Sequence, residues 1–313
     1  MDGACNFLKN VLRYLLIILK YKGMGSHMSA TEKIAVITDS CADVPPELAK
    51  KHGLFVLPMR IICSDGEYRD GIDIHAEEIY ERLKKELPRS STPSGGDVED
   101  TFAEIRRQGY TKAVAILLSG GLSGTVNHVR LEAEDAEGLE VEVFDSKQAS
   151  IGIGIIALQA AAYIEEGMGF EELKQKIQKL IAGTKVFFSI DTLEYLQKGG
   201  RIGKAAALAG MLLDIKPILS FDEEGEIYTA AKVRSRKQVE KRLLQLIDEI
   251  KETKRPYNLV VADGGAPAER EQLERKLTEL LPDARFLCRA KIGAALSIYL
   301  GDGLLGAGIQ YLD

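Results

Sequence analysis

The sequence predicts an α/β protein: a Rossmann-like domain on a parallel sheet, followed by a second α/β domain with a mixed sheet. Short β-branched runs alternate with helical spacing through the first half, and three of them end in polar Asp-Ser or Ser-Gly steps. After about Lys185 the texture changes and a hairpin pattern appears. Strands that alternate with helices imply a parallel sheet covered on both faces. Ligands of such sheets gather at the carboxyl ends of the strands.

In chain order, Ile34–Thr38 is a strand-like run ending in Asp39-Ser40, followed by the breaker pair Pro45-Pro46. Ile79, Leu83 and Leu87 have helical spacing. Val98, Phe102 and Ile105 repeat it behind Asp97, a reasonable N-cap. Val114–Leu118 is strand-like and runs into Ser119-Gly120-Gly121, then a charged helix covers Asn127–Ala136, and Val141–Phe144 ends in Asp145-Ser146. Ile151–Glu166 and Phe170–Ile181 read as helices, the first apolar on most sides. Beyond the strand Val186–Ile190, Ile215–Phe221 and Ile227–Val233 form a hairpin around Asp222–Glu226. Helix Lys237–Lys251, strand Leu259–Ala262, helix Ala268–Leu281 and strand Arg285–Cys288 follow. The domains expected are 28–184 and 185–313.

Gly25-Ser26-His27-Met28 reads as an expression-vector scar, so residues 1–27 are expected to be a leader that is not part of the natural chain. The apolar run Val11–Leu19 inside it is broken by Arg13 and is shorter than the ~20 residues of a membrane span. Hydrophobic content of 45% and charged content of 28% are those of a globular protein. A net charge of −6 argues against nucleic acid as a partner. Cys5, Cys41, Cys63 and Cys288 show no CxxC spacing and no adjacent histidine pair. They read as free thiols of a reducing, cytoplasmic compartment, and no integral membrane association is expected.

Two loops draw attention. Ser119-Gly120-Gly121-Leu122-Ser123-Gly124-Thr125 lies between a strand and a helix, where glycines let several amides converge and the helix dipole favours an anion. The same residues read equally well as a tight turn with Ser123 or Thr125 as N-cap. Ser90-Ser91-Thr92-Pro93-Ser94 offers four hydroxyls in five residues; alone it reads as a capping turn. Together the loops suit a single carboxylate, because neither contains Lys or Arg.

Other chemistry finds less footing. Gly199–Lys204 lacks phosphate-loop spacing, and Ala205 stands where a metal-binding hydroxyl would be needed. Gly152-Ile153-Gly154-Ile155-Ile156-Ala157 fits a loose dinucleotide pattern but lies within a helical run, where close helix–sheet packing explains it better. Gly121–Thr125 fails G-x-S-x-G. His52, His75 and His128 have no spacing that ties them to a serine. Arg201 follows a Gly-Gly step and reads either as a carboxylate ligand or as a surface arginine. Arg234 and Arg236, with Lys232 and Lys237, form a basic patch.

With these residues assembled, the chain resembles the DegV family. Thr38-Asp39-Ser40-Cys41-Ala42-Asp43 is similar to its T-D-S-x-A-D, Ser90–Ser94 to T-S-x-P-S, and Leu118–Thr125 to S-S-G-L-S-G-T. Asp145-Ser146-Lys147, Leu193–Ile202, Lys216–Leu219 and Arg234-Ser235-Arg236 match further motifs in order. The resemblance implies a DegV-like pair of α/β domains, with a lipid tunnel to which the C-terminal one contributes. It also implies a long-chain fatty acid as ligand, with no other cofactor and no metal. The carboxylate would meet Ser90, Ser91, Ser119, Gly120, Gly121, Ser123, Gly124 and Thr125, with Arg201 beside them. It implies a non-catalytic binding subunit that presents the acid to a separate ATP-dependent fatty acid kinase, which makes acyl phosphate for phospholipid synthesis. Arg234 matches a residue implicated in that partner contact. The alternatives are a stand-alone acyl hydrolase or kinase using Ser119 or Ser123, and a lipid-responsive interaction protein.

The chain departs from the family pattern at two places. Gly120 replaces the second serine of S-S-G, leaving only an amide. The C-terminal G-T-H-x-G-P-G appears as Ser297–Gly303, with Tyr299 for the histidine and Asp302 for the proline; Tyr299 remains a possible head-group or partner contact. Ala205–Leu213, Ile298 and Leu300 are expected to line the tunnel. Burying roughly 14 methylenes at ~0.8 kcal/mol each gives on the order of 11 kcal/mol before ordering costs.

Overall fold

The computed structural model describes residues 33–208, 215–252 and 254–312. The expected leader, 1–27, and the part of the expected tunnel stretch from 209 to 213 lie outside them. β1 (Ile34–Asp39) is buried along its whole length. Pro46 opens α1 (Pro46–Lys51) at the position where a missing N–H costs nothing, and β2 (Leu54–Leu57) follows. Next comes a hairpin with no counterpart in the sequence reading, β3 (Arg60–Cys63) and β4 (Gly66–Arg69), and then α2 (Ala76–Leu83). Leu87, expected on that helix, is outside it and 39% exposed. β5 (Arg89–Ser91) pairs with β3 to complete a three-stranded sheet.

Ser94, rather than Asp97, is the N-cap of α3 (Gly95–Arg107). The Asp97 amide donates to the Ser94 hydroxyl at 3.2 Å and the Ser94 amide donates back to the Asp97 carboxylate at 3.1 Å, so two orphan amides are satisfied reciprocally. β6 (Lys112–Leu117), α4 (Thr125–Glu134) and β7 (Glu140–Asp145) complete the first sheet, ordered β2-β1-β6-β7 and parallel throughout.

α5 (Ile151–Glu165) and α6 (Phe170–Gly183) lead into the second sheet. It is built from β8 (Thr184–Ser189), then β9 (Lys216–Phe221) and β10 (Ile227–Val233) after the short α7 (Glu194–Lys198). It continues, after α8 (Arg236–Ile250), with β11 (Tyr257–Gly264) and, after α9 (Pro267–Leu280), with β12 (Leu287–Lys291). α10 (Ala294–Leu300) and β13 (Leu304–Tyr311) close the chain. The order is β10-β9-β8-β13-β11-β12, and only β11 and β12 run parallel. β9 and β10 form the expected hairpin.

The elements stack in layers. α3 and α4 cover one face of the parallel sheet through Val98, Phe102, Ile105, Val126 and Val129. α8 and α9 cover the far face of the mixed sheet through Val239, Leu243, Leu273 and Leu277. The largest core lies between the sheets, and α5 runs through it, packing on strands of both. A helix that is apolar all round must be buried all round, and Ile151–Leu158 are buried without exception. Its glycines answer to contact, as the sequence suggested. A Cβ added at Gly154 would lie 2.6 Å from the Ala42 carbonyl oxygen, and one at Gly152 3.2 Å from Val186. Gly154→Ala is therefore expected to destabilise the fold by about 1–3 kcal/mol in urea unfolding, as over-packing does; an unchanged midpoint contradicts this packing account.

Candidate functional site

A cavity of about 250 Å³ opens in the layer between the sheets. Apolar side chains of the mixed sheet (Phe188, Phe221, Leu304), of α10 (Leu296) and of the segments just past β2 and β6 (Met59, Leu118) wall it. Phe188 and Phe221 stack with centroids 5.5 Å apart. Its polar lining is concentrated in Ser90, Ser91, Thr92, Ser123, Ser150, Arg201 and Tyr299.

β5 presents Ser90 and Ser91, and the turn before α4 presents Ser123 and Gly124. Ser123 and Thr125 hydroxyls lie 2.9 Å apart, and the Thr125 amide donates to Ser123 Oγ at 3.3 Å. Ser90 Oγ and Tyr299 OH share a hydrogen bond of 2.8 Å. Arg201 lies with its guanidinium 5.4 Å from the Tyr299 ring centroid, in cation–π range. It donates through Nε to Leu122 O at 3.3 Å and through Nη1 to Gly199 O at 2.6 Å. Tyr299 has a fixed seat, since a Cβ at Gly199 would meet its ring at 2.4 Å.

The remaining members of the serine–glycine loop are engaged within the protein. Ser119 is fully buried; its hydroxyl donates to Gly225 O at 2.9 Å and accepts from the Gly121 amide at 3.1 Å. The β9–β10 turn is thereby clasped to the loop. Gly225, at φ +78°, has no alternative there, because a Cβ would fall 2.0 Å from Ser119 Oγ. The Gly120 amide donates to Asp145 Oδ1 at 3.1 Å, and a Cβ at Gly120 would lie 2.7 Å from Asp145 Oδ2. A serine in its place would require the Asp145 carboxylate to shift. Thr125 is buried with its hydroxyl toward Met59 Sδ at 3.7 Å. Arg234 is exposed just past β10, outside the cavity lining. Leu300 lines the cavity, whereas Ile298, Ala205 and Leu208 are plain core.

Sequence reasoning missed a group of carboxyls against the cavity. Asp39 accepts from the Leu118 amide at 2.7 Å and the Cys41 amide at 3.0 Å. Asp43 accepts from Ser150 Oγ at 2.6 Å and the Gly293 amide at 2.8 Å, and Asp70 from Ser40 Oγ at 2.7 Å and the Ala294 amide at 2.9 Å. Asp43 and Asp70 thus hold the start of α10, and Cys41 and Ser150 between them line the cavity. Ser150 is held at φ +55°, ψ −142°, a backbone conformation costly for a residue with a side chain. The two aspartates of the T-D-S-x-A-D motif were the available signal.

Burial pushes the Asp39 carboxyl up to about 7, against the two amides that favour its charged form. Burial likewise lifts Asp43 well above the usual carboxylate range, and lifts Asp70. Between the ordinary carboxylate value of 3.8 and about 7, the folded state holds a proton at Asp39 that the unfolded chain has lost. The stability this group contributes is therefore complete below that range and is lost as pH rises through about 7. Asp39→Asn, which cannot ionise, is expected to flatten the decline of Tm across this window; a decline of unchanged slope contradicts the assignment.

Residues 33–312 match a family model described as an uncharacterised protein of the DegV family. A DegV domain-containing protein of Clostridium acetobutylicum is 38% identical over 275 residues, 88% of this chain and 98% of its own. Among solved structures, a fatty-acid-binding DegV family protein from Thermus thermophilus aligns with a TM-score of 0.84 at 29% identity, covering 90% of this chain and 100% of its own. DegV from Bacillus subtilis, a fatty acid binding protein, aligns at 0.81 with 30% identity, covering 90% and 99%. With the fold, the ordered motifs and the matched length in agreement, the chain belongs to the DegV family.

Proposed function

We propose that the cavity binds a long-chain fatty acid, its chain against the apolar walls and its carboxylate at Ser90, Ser91, Ser123, Gly124 and Arg201. Ser119, Gly120, Gly121 and Thr125 shape that clamp from behind. In this reading 28–184 supplies the hydroxyl loops and 185–313 most of the apolar wall. The loaded protein then presents the acid to a separate ATP-dependent kinase subunit, which forms the acyl phosphate for phospholipid synthesis. One observation carries the reading: an interior apolar cavity whose polar lining is hydroxyls and a single guanidinium. Neutral donors with one cation match a lone carboxylate, and apolar walls supply affinity at about 0.8 kcal/mol per methylene.

The solved relatives described as fatty acid binding support the ligand class. The partner rests on the resemblance, with Arg234 exposed and available to it. Cys41, Cys63 and Cys288 are free thiols, which supports a reducing cytoplasm. Among the described residues no helix is long and apolar enough to cross a membrane. A non-catalytic role gains support from Ser119, whose hydroxyl is already given to a carbonyl. It also gains from His52 and His128, which face Glu165 and Glu132 rather than a serine.

Denaturing extraction of the purified protein, followed by mass spectrometry, is expected to yield fatty acid in near-stoichiometric amount. Arg201→Ala is expected to weaken uptake of added palmitate by roughly tenfold, the lower range for a charged hydrogen bond. A protein that carries no lipid and takes up none contradicts the reading.

A further inference from the structure

One wall of the cavity lacks a side chain for no reason in its own backbone. β13 crosses the middle of the mixed sheet, and its residues alternate between two environments. Leu305, Ala307 and Ile309 face the core under α8 and α9, while Leu304 and Gly306 face the cavity. Gly306 pairs with Phe188 on one side and Ala262 on the other, both of which also line the cavity. The row across the sheet is therefore large, empty, small.

Gly308, two residues on, shows what an obligatory glycine looks like. A Cβ there would lie 2.7 Å from Lys185 O, 2.8 Å from Val260 and 2.9 Å from Val186. At Gly306 the nearest atoms are Phe188 Cβ at 3.3 Å, Phe187 O at 3.4 Å and Leu304 Cδ2 at 3.9 Å, so a Cβ there asks of its neighbours a shift of only tenths of an ångström. Nor does Gly306 have positive φ; its backbone is ordinary strand that any residue adopts. Glycine inside a central strand weakens it, and commonly marks close approach of a ligand. What replaces the side chain here is cavity.

We propose that Gly306 is a specificity-determining residue of the acyl site: its missing side chain keeps open, beside Ala262, the volume that admits the longer acyl chains. This rests on the fatty-acid reading above. A methyl group in that volume displaces about one methylene of a chain that fills the cavity, weakening it about fourfold, while a chain too short to reach it is unaffected. Valine displaces more and moves the preference toward shorter acids.

The test uses the delipidated full chain as wild type, Gly306→Ala, Gly306→Val and, as a packing control, Gly308→Ala. Dissociation constants are measured for lauric, palmitic and stearic acids, with thermal melts to establish folding. Gly306→Ala is expected to lose about fourfold for stearic acid with lauric acid unchanged, and Gly306→Val to lose more for stearic acid, again with lauric acid unchanged. Gly308→Ala is expected to lower Tm. If the valine variant does not fold, the alanine variant decides alone. An unchanged affinity of the folded alanine variant for stearic acid, or an equal loss at all three lengths, overturns the role of Gly306. Wild-type protein that binds none of the three acids overturns the fatty-acid reading instead.

Discussion

The helix Ile151–Glu165 has to be buried on every side of its first two turns, and a single sheet offers it only one face. It is therefore held between two sheets, and the rest of the architecture follows from that demand. The parallel sheet supplies one wall and the mixed sheet the other, and each needs its own helices to cover its outer face. Contact is close enough that Gly154 leaves no space for a methyl group. The cavity lies where the helix begins, lined there by Ala149, Ser150 and Ile151.

That position places the cavity among the strand ends and loops that can carry polar groups. Hydroxyls from β5 and from the turn before α4 meet Arg201 and Tyr299, which come from the other half of the chain. Two devices hold the halves in register. Ser119 clasps the β9–β10 turn through Gly225, and Asp43 and Asp70 hold the start of α10. Burial keeps these two carboxyls and the neighbouring Asp39 out of water and lifts their proton affinity, so the frame around the cavity is most stable where they are neutral.

Much of this was legible in the sequence. The alternation of Val114–Leu118 with its following helix, the hairpin around Asp222–Glu226 and the all-apolar run from Ile151 each encode one physical fact that the fold uses directly. β13 was not legible, although it is the sheet's central strand, because Gly306 and Gly308 erase its β signal and burial on both faces removes alternation. α10 is seven residues long and nearly all buried, so it shows no amphipathic stripe. The two hydroxyl loops could be named, yet the division of labour inside them could not. Ser119 and Ser123 look equivalent in the chain. Only a contact across 106 residues turns the first into a clasp and leaves the second at the cavity. Tyr299 looked like the loss of an imidazole, and its hydrogen bond to Ser90 and its place under Arg201 depend on distant elements.

The central claim is that the layer between the sheets holds an acyl chain with its carboxylate at the hydroxyl–arginine end. A crystal structure of the protein saturated with palmitic acid addresses it most directly. The expected result is continuous density along the walls formed by Phe188, Phe221 and Gly306, with the carboxylate within hydrogen-bond distance of Ser91, Ser123 or Arg201. Density for the acid elsewhere on the protein, or a carboxylate buried at the opposite end of the cavity, would contradict it.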